Sequence, residues 1–163
     1  MTGGPPRWRG RLHSRAFVCS VPAGVALVVF AERATARVAV AIYVVSLAAL
    51  FGTSAAYHRL ARSTAKRRLR RLDHSMIYVL FAGTYTPLCV LALPAVWGIP
   101  VVAAVWAAAS LGVVVKAADI HVLVGVADAL YIILGWAVIV AVPVLVASIP
   151  ASGLALMVTG GIA

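Results

Sequence analysis

Apolar residues occupy most of the chain, in long runs that charged residues interrupt only at intervals. Residues 38–58 contain no Lys, Arg, Asp or Glu, and neither do residues 74–115. A helix needs roughly 20 apolar residues to cross the hydrocarbon of a bilayer, so the first run predicts one crossing and the second predicts two. Pro94 and Pro100 mark the turn that divides the second run.

The complete pattern predicts an all-α integral membrane protein, a helical bundle with five transmembrane helices and a partial sixth. The five predicted spans are residues 16–31, 38–58, about 74–93, about 99–115 and 129–149. Residues 154–163 begin a sixth span and stop at roughly half the length of a crossing. We therefore expect a basic N-terminal segment, residues 1–15, and a single transmembrane domain, residues 16–163, that is truncated at its C-terminus.

Composition supports lipid as the solvent of this chain. Of its 163 residues, 64% are hydrophobic and 11% are charged, and the mean hydropathy is +1.06. A water-soluble fold requires more polar surface than this. The net charge of +10 does not indicate nucleic-acid binding, because the basic residues lie between apolar spans without interleaved aromatic residues.

The distribution of Lys and Arg predicts the orientation in the membrane. Twelve of them fall in the N-terminal lead, between residues 59 and 71 and at residue 116, against two between residues 32 and 37. Because positive residues are enriched in cytoplasmic segments, we expect a multi-pass protein of the bacterial plasma membrane with a cytoplasmic N-terminus.

Ser54, His58 and Asp73 form the candidate site. Ser54 and His58 are four residues apart, so they share one helix face, and Asp73 opens the next antiparallel span at the same depth. An imidazole can bind zinc, a carboxylate can deprotonate a metal-bound water and a hydroxyl can hold that water. The three types of side chain fit a hydrolytic zinc site.

A plainer interpretation is that these groups are solvated at the membrane interface, with Asp73 paired to Arg70 or Arg71. Catalytic zinc takes three protein ligands plus water. One histidine is therefore not a metal site, and two ligands remain to be found.

Several motifs resemble those of bacterial hemolysin III proteins, in the same order along nearly the whole chain. These proteins belong to the progestin and adiponectin receptor family, within a wider group of membrane hydrolases that includes alkaline ceramidases. The motifs are RGRLH at residues 9–13, SAAYH at 54–58, RLDHSMIYVLFAGTYTP at 71–87, YIILGW at 131–136 and the late Gly160-Gly161 pair.

The resemblance implies a seven-helix bundle with a cytoplasmic N-terminus and a zinc ion near the cytoplasmic face. His58 would be a zinc ligand, while Asp73 and Ser54 would contact or position the zinc-bound water. The family's other two ligands are histidines in a His-x-x-x-His motif on the seventh helix. That motif is not found in this sequence, so the resemblance implies an incomplete zinc site.

The remaining histidines have simpler interpretations. His13 is expected at the membrane interface with Trp8, His74 beside the site but turned away from it, and His121 solvated in a loop. Thr84 and Thr86 are expected to bond to the backbone carbonyls that Pro87 leaves free, which would make the GTYTP segment a kink.

Three functions are compatible with the sequence. The first is a zinc-dependent membrane hydrolase that acts on a lipid amide or ester, with the bilayer as its environment and a lipid as its substrate. The second is a non-enzymatic membrane protein, either a pore former that lyses cells or a sensor-like bundle. The third is an incomplete gene product with little function of its own. The oligomeric state stays open.

Overall fold

The computed structural model describes residues 7–60, 64–137, 139, 142–143, 146–147 and 150–162. Six α-helices, one π-helical segment and one short 3-10 helix can be delimited among these residues, and the separate residues 139, 142–143 and 146–147 are helical as well. In chain order they are α1 (Arg7–Phe30), α2 (Ala34–Leu60), α3 (Thr64–Pro87), the π-helical segment Leu88–Ala92, α4 (Ala95–Ala117), the 3-10 helix His121–Leu123, α5 (Val124–Trp136) and α6 (Ala151–Ile162).

Among the described residues, four helical stretches are long and apolar enough to cross a membrane, which confirms the predicted all-α membrane bundle. They are Arg11–Phe30, Ala34–Arg59, Ala65–Ala92 and Ala95–Ala117. The predicted fifth span, 129–149, begins within α5, and several of its later residues lie outside the described part of the chain. Neighbouring helices in the sequence pack on one another, from α1 against α2 through to α4 against α5.

The helices extend beyond the predicted ends of the spans and into the adjoining basic segments. Residues 59–71 lie between two predicted spans, but α2 continues to Leu60 and α3 begins at Thr64. Likewise, α1 continues through the predicted boundary at residue 15. Lys and Arg are good helix formers, and their long side chains reach polar surroundings from a helix end. Asp73 therefore lies within α3 instead of at its start.

A local break in helical geometry follows the GTYTP segment. Thr84 donates a hydrogen bond to the carbonyl of Leu80 at 2.8 Å, and Thr86 donates one to Ala82 at 2.7 Å. The carbonyl that Pro87 leaves without its helical donor is four residues earlier, at position 83. The threonines thus bond to the backbone as predicted, but to different carbonyls. The π-helical segment that follows accommodates the disturbed backbone pattern.

The best-buried core lies between α3, α4 and α5. Two tyrosines join α3 to α5. The hydroxyl of Tyr78 donates to the carbonyl of Ala127 at 2.8 Å, and the hydroxyl of Tyr85 donates to the carbonyl of Leu134 at 2.9 Å. We call these two tyrosines and their two acceptors the tyrosine seam. Gly112 of α4 lies directly against the ring of Tyr78. This close approach is possible because glycine has no side-chain carbon.

Ion pairs connect α3, α4 and α5 at one end of this core. Arg71 of α3 contacts Asp119, which follows α4 with a positive φ of 58°, a conformation that Asp tolerates better than most residues. Lys116 contacts Asp128 at 2.7 Å. The structure thus pairs both Asp119 and Asp128 with a cation from another part of the chain.

Candidate functional site

The second half of α2 places Ser54 and His58 on one face of the helix, as the four-residue spacing predicts. Ser54 is buried, with only 5% of its surface exposed, and His58 is half-buried. The His58 ring contacts that of Tyr57, with the two ring centroids 4.9 Å apart. A hydroxyl and an imidazole therefore reach the interior of the bundle near the end of α2.

His13 of α1 completes this cluster through contacts that the sequence did not predict. Its Nδ1 atom lies 3.0 Å from Oγ of Ser54, and its ring stacks on that of His58 with centroids 6.1 Å apart and planes 24° apart. We call His13, Ser54 and His58 the histidine corner. The sequence carried a signal for it, since His13 and Ser54 lie at similar chain distances from the turn at residues 31–33 that joins the two antiparallel helices.

Ser54 differs in its bonding from the other buried serine and threonine residues of the described chain. Ser46, Ser75 and Thr86 each donate to a backbone carbonyl three or four residues earlier, which is the ordinary way to satisfy a hydroxyl in an apolar helix. Ser54 instead has the His13 imidazole as its partner. Its hydroxyl is thereby oriented toward a side chain of another helix, next to His58.

Asp73 is half-buried on α3, and the described residues give it no ion pair and no hydrogen bond to Ser54 or His58. Arg71 does not pair with Asp73, as the plainer interpretation allowed, but contacts Asp119 instead. The structure thus brings Ser54 and His58 together with His13 and leaves the Asp73 carboxylate without a charged partner in the part of the chain it describes.

The other two histidines stay outside the corner, as predicted. His74 is exposed. His121 has 83% of its side chain exposed and lies 3.8 Å from a carboxylate oxygen of Asp119. Neither contributes to the cluster of buried polar side chains.

A basic cavity of about 270 Å³ opens at the same end of the bundle. Its lining residues are Tyr57, Lys66, Arg67 and Arg70. Because Tyr57 contacts the ring of His58, the cavity borders the corner. Its cations suit a negatively charged or strongly polar group close to the candidate site.

The corner offers donors of the right type for zinc but not a complete zinc site. Two imidazoles stack beside one buried hydroxyl. Because Nδ1 of His13 is bonded to Ser54, the nitrogen of His13 that remains for a metal is Nε2. Among the described residues, no group of three or more His, Cys, Asp or Glu side chains is arranged to hold a metal ion. A catalytic zinc would therefore need a further ligand beside those of the corner.

Long apolar helices packed in sequence, with a buried polar cluster near one end, define a polytopic helical membrane protein. The chain belongs to the haemolysin-III related family, whose model matches residues 5–163. It is 33% identical to hemolysin-3 of Bacillus cereus and 35% identical to a hemolysin-3 homolog of Bacillus subtilis (strain 168).

Both alignments extend over 153 residues and cover 92% of this chain, with 70% of the Bacillus cereus protein and 72% of the Bacillus subtilis protein. No solved structure shows significant similarity to the chain. Family membership confirms the resemblance drawn from the motifs and supports a multi-pass bacterial membrane protein.

Proposed function

We propose that this chain acts as a membrane hydrolase on a lipid amide or ester, with zinc as its cofactor. The observation that carries the proposal is the histidine corner, where a buried hydroxyl and two imidazoles from α1 and α2 contact one another. Polar side chains are costly in a membrane bundle and tend to mark functional sites there. The other buried serine and threonine hydroxyls of the described chain, those of Ser46, Ser75 and Thr86, bond to their own helix instead.

Each candidate residue has a distinct role in this proposal. Zinc, when bound, supplies a water of lowered pKa. His58 serves as the protein ligand on α2. Ser54, held by His13, fixes the position of a water by hydrogen bond, and Asp73 accepts a proton because no cation of the described chain neutralises it. The site faces the cytoplasm, and the basic cavity beside it receives a polar lipid headgroup.

The zinc content of the purified protein tests the metal assignment. We expect bound zinc in the parent protein and its loss in His58→Ala, while the control His121→Ala keeps the parent content because His121 lies outside the corner. Parent protein free of zinc after purification without chelators would rule out the metal for this chain.

The name hemolysin, which both Bacillus relatives carry, motivates a second candidate, membrane lysis. A pore predicts dye leakage from vesicles that contain the protein, and this leakage would persist in His58→Ala and in the presence of chelator. Hydrolysis predicts the opposite, with lipid cleavage abolished by both treatments and no leakage before cleavage begins. Measuring leakage and lipid cleavage in the same vesicles separates the two candidates.

A further inference from the structure

A second basic cavity, of about 530 Å³, lies between α1 and the end of α2. Its lining residues are Arg11, Ser14, Arg15, Val18, Cys19 and Arg59. On an ideal helix Arg11, Arg15 and Val18 lie about 140° to 200° around the axis from His13, so this cavity faces away from the histidine corner. It therefore requires a separate explanation.

The cavity contains three guanidinium groups and no compensating carboxylate. All four acidic residues belong to the described chain, and none of them lines the cavity. Asp119 and Asp128 contact Arg71 and Lys116 instead. The three arginines are exposed, and in the described part of the chain no ion pair occupies them. Their uncompensated charge favours an anion, and guanidinium pairs with phosphate through two parallel hydrogen bonds.

The position of the cavity along α1 identifies the kind of anion. From Arg11 to Cys19 the helix rises about 12 Å, enough to pass through a headgroup layer of about 5 to 8 Å and enter the hydrocarbon. The deeper lining residues are apolar and open, with Val18 67% exposed and Cys19 exposed. A ligand seated here presents charge to the arginines and hydrocarbon to the deeper surface.

We propose that this cavity binds an anionic phospholipid of the surrounding bilayer, with its phosphate held by Arg11, Arg15 and Arg59. A lipid whose headgroup carries its own ammonium group gains less from the three cations, because that ammonium already compensates the phosphate. The proposal is independent of the hydrolase function, since it uses none of the residues of the histidine corner.

The test is the association of spin-labelled phosphatidylglycerol with the full chain in phosphatidylcholine bilayers, followed by electron spin resonance. Arg15→Gln is expected to weaken this association about tenfold, whereas Arg68→Gln removes an equal charge outside the cavity and weakens it by at most about twofold. Arg15→Lys keeps the charge but loses the paired geometry, so we expect it to weaken the association at least about threefold.

Three results would overturn the proposal. Equal losses in Arg15→Gln and Arg68→Gln would show that the overall surface charge attracts the lipid. Unchanged association in Arg15→Lys would show that paired hydrogen bonds have no part in it. Displacement of the labelled lipid by excess inorganic phosphate would assign the cavity to a soluble anion. If Arg15→Gln fails to insert, Arg15→Lys still decides between a built site and simple charge attraction.

Discussion

The histidine corner and the tyrosine seam both join neighbouring helices through buried polar side chains, but they do so with different partners. In the seam, the hydroxyls of Tyr78 and Tyr85 donate to backbone carbonyls of α5. In the corner, Ser54 and His13 contact each other, and His13 stacks on His58. A backbone acceptor is available on any helix, whereas a cluster of side chains requires several particular residues.

The difference separates a structural role from a functional one. A tyrosine that bonds to a carbonyl fixes the distance and rotation of two helices and leaves no reactive group free. An imidazole cluster, by contrast, retains groups that can bind a metal or transfer a proton. We therefore expect substitutions in the seam to change stability and substitutions around the corner to change activity.

Among the substitutions that keep the shape of the side chain, the largest expected effect comes from Asp73→Asn, which removes the proposed base. Lipid amide or ester hydrolysis should fall by about 10² to 10⁴-fold. The matched control is Asp128→Asn, because Asp128 is exposed and contacts Lys116. Hydrolysis assays on reconstituted protein check this, and equal activity of the two variants would remove Asp73 from the mechanism.

His13→Phe tests the positioning role of His13 while keeping an aromatic ring beside Phe51 and His58. Loss of its bond to Ser54 should lower kcat by about 10 to 100-fold, the range seen for outer partners of metal ligands, with KM nearly unchanged. Ser20→Ala is the control on α1, because Ser20 donates only to the carbonyl of Phe17. A parallel rise in KM, or an unfolded protein, would indicate a merely structural role for His13.

Gly112→Ala tests the packing of the seam. The added methyl carbon would meet three ring carbons of Tyr78, the farthest at 2.8 Å, and the ring is fixed by its bond to Ala127. Overpacking of this kind should lower the free energy of unfolding by about 1 to 3 kcal/mol, measured by SDS-induced unfolding of detergent-solubilised protein.

The control for Gly112→Ala is Gly125→Ala, where an added methyl carbon meets nothing within 4 Å. Because alanine is the better helix former, that variant should match the parent or gain up to about 1 kcal/mol. Equal destabilisation by the two substitutions would contradict the close contact between Gly112 and Tyr78.

The smallest expected effect is that of Tyr78→Phe, which removes one buried hydrogen bond and keeps the ring. The free energy of unfolding should fall by about 0.5 to 1.5 kcal/mol. Tyr131→Phe is the comparison, because Tyr131 is 46% exposed and contacts Phe81 through its ring. Activity per folded molecule should stay at the parent level in both variants, and a specific loss in Tyr78→Phe would extend the functional region into the seam.

Hydrophobic patterning was sufficient to predict the helices and the shared face of Ser54 and His58, because both depend on short-range periodicity. The role of His13 was missed, since a lone histidine in a basic segment is consistent with many positions. Its contact with Ser54 depends on how α1 and α2 align. The Arg71–Asp119 pair was missed for the same reason, as it joins residues from separate helices whose packing the sequence pattern does not specify.

Helix ends were predicted too conservatively wherever basic residues adjoined a span. Charged residues mark where each apolar run ends, but the helices extend beyond those points. Helix α2 continues to Leu60, and α3 already begins at Thr64. Hydropathy reports where the side chains meet lipid, whereas the end of a helix depends on backbone bonding and capping. Helix therefore extends into the basic stretch 59–71 from both of its ends.

The most direct test of the separation between corner and seam is lipid hydrolysis by the parent protein, His58→Ala and Tyr78→Phe in identical vesicles, normalised to the amount of folded protein. We expect that His58→Ala abolishes hydrolysis and that Tyr78→Phe retains the parent rate despite its lower stability. Hydrolysis that survives His58→Ala, or that falls by the same factor in both variants, would contradict it.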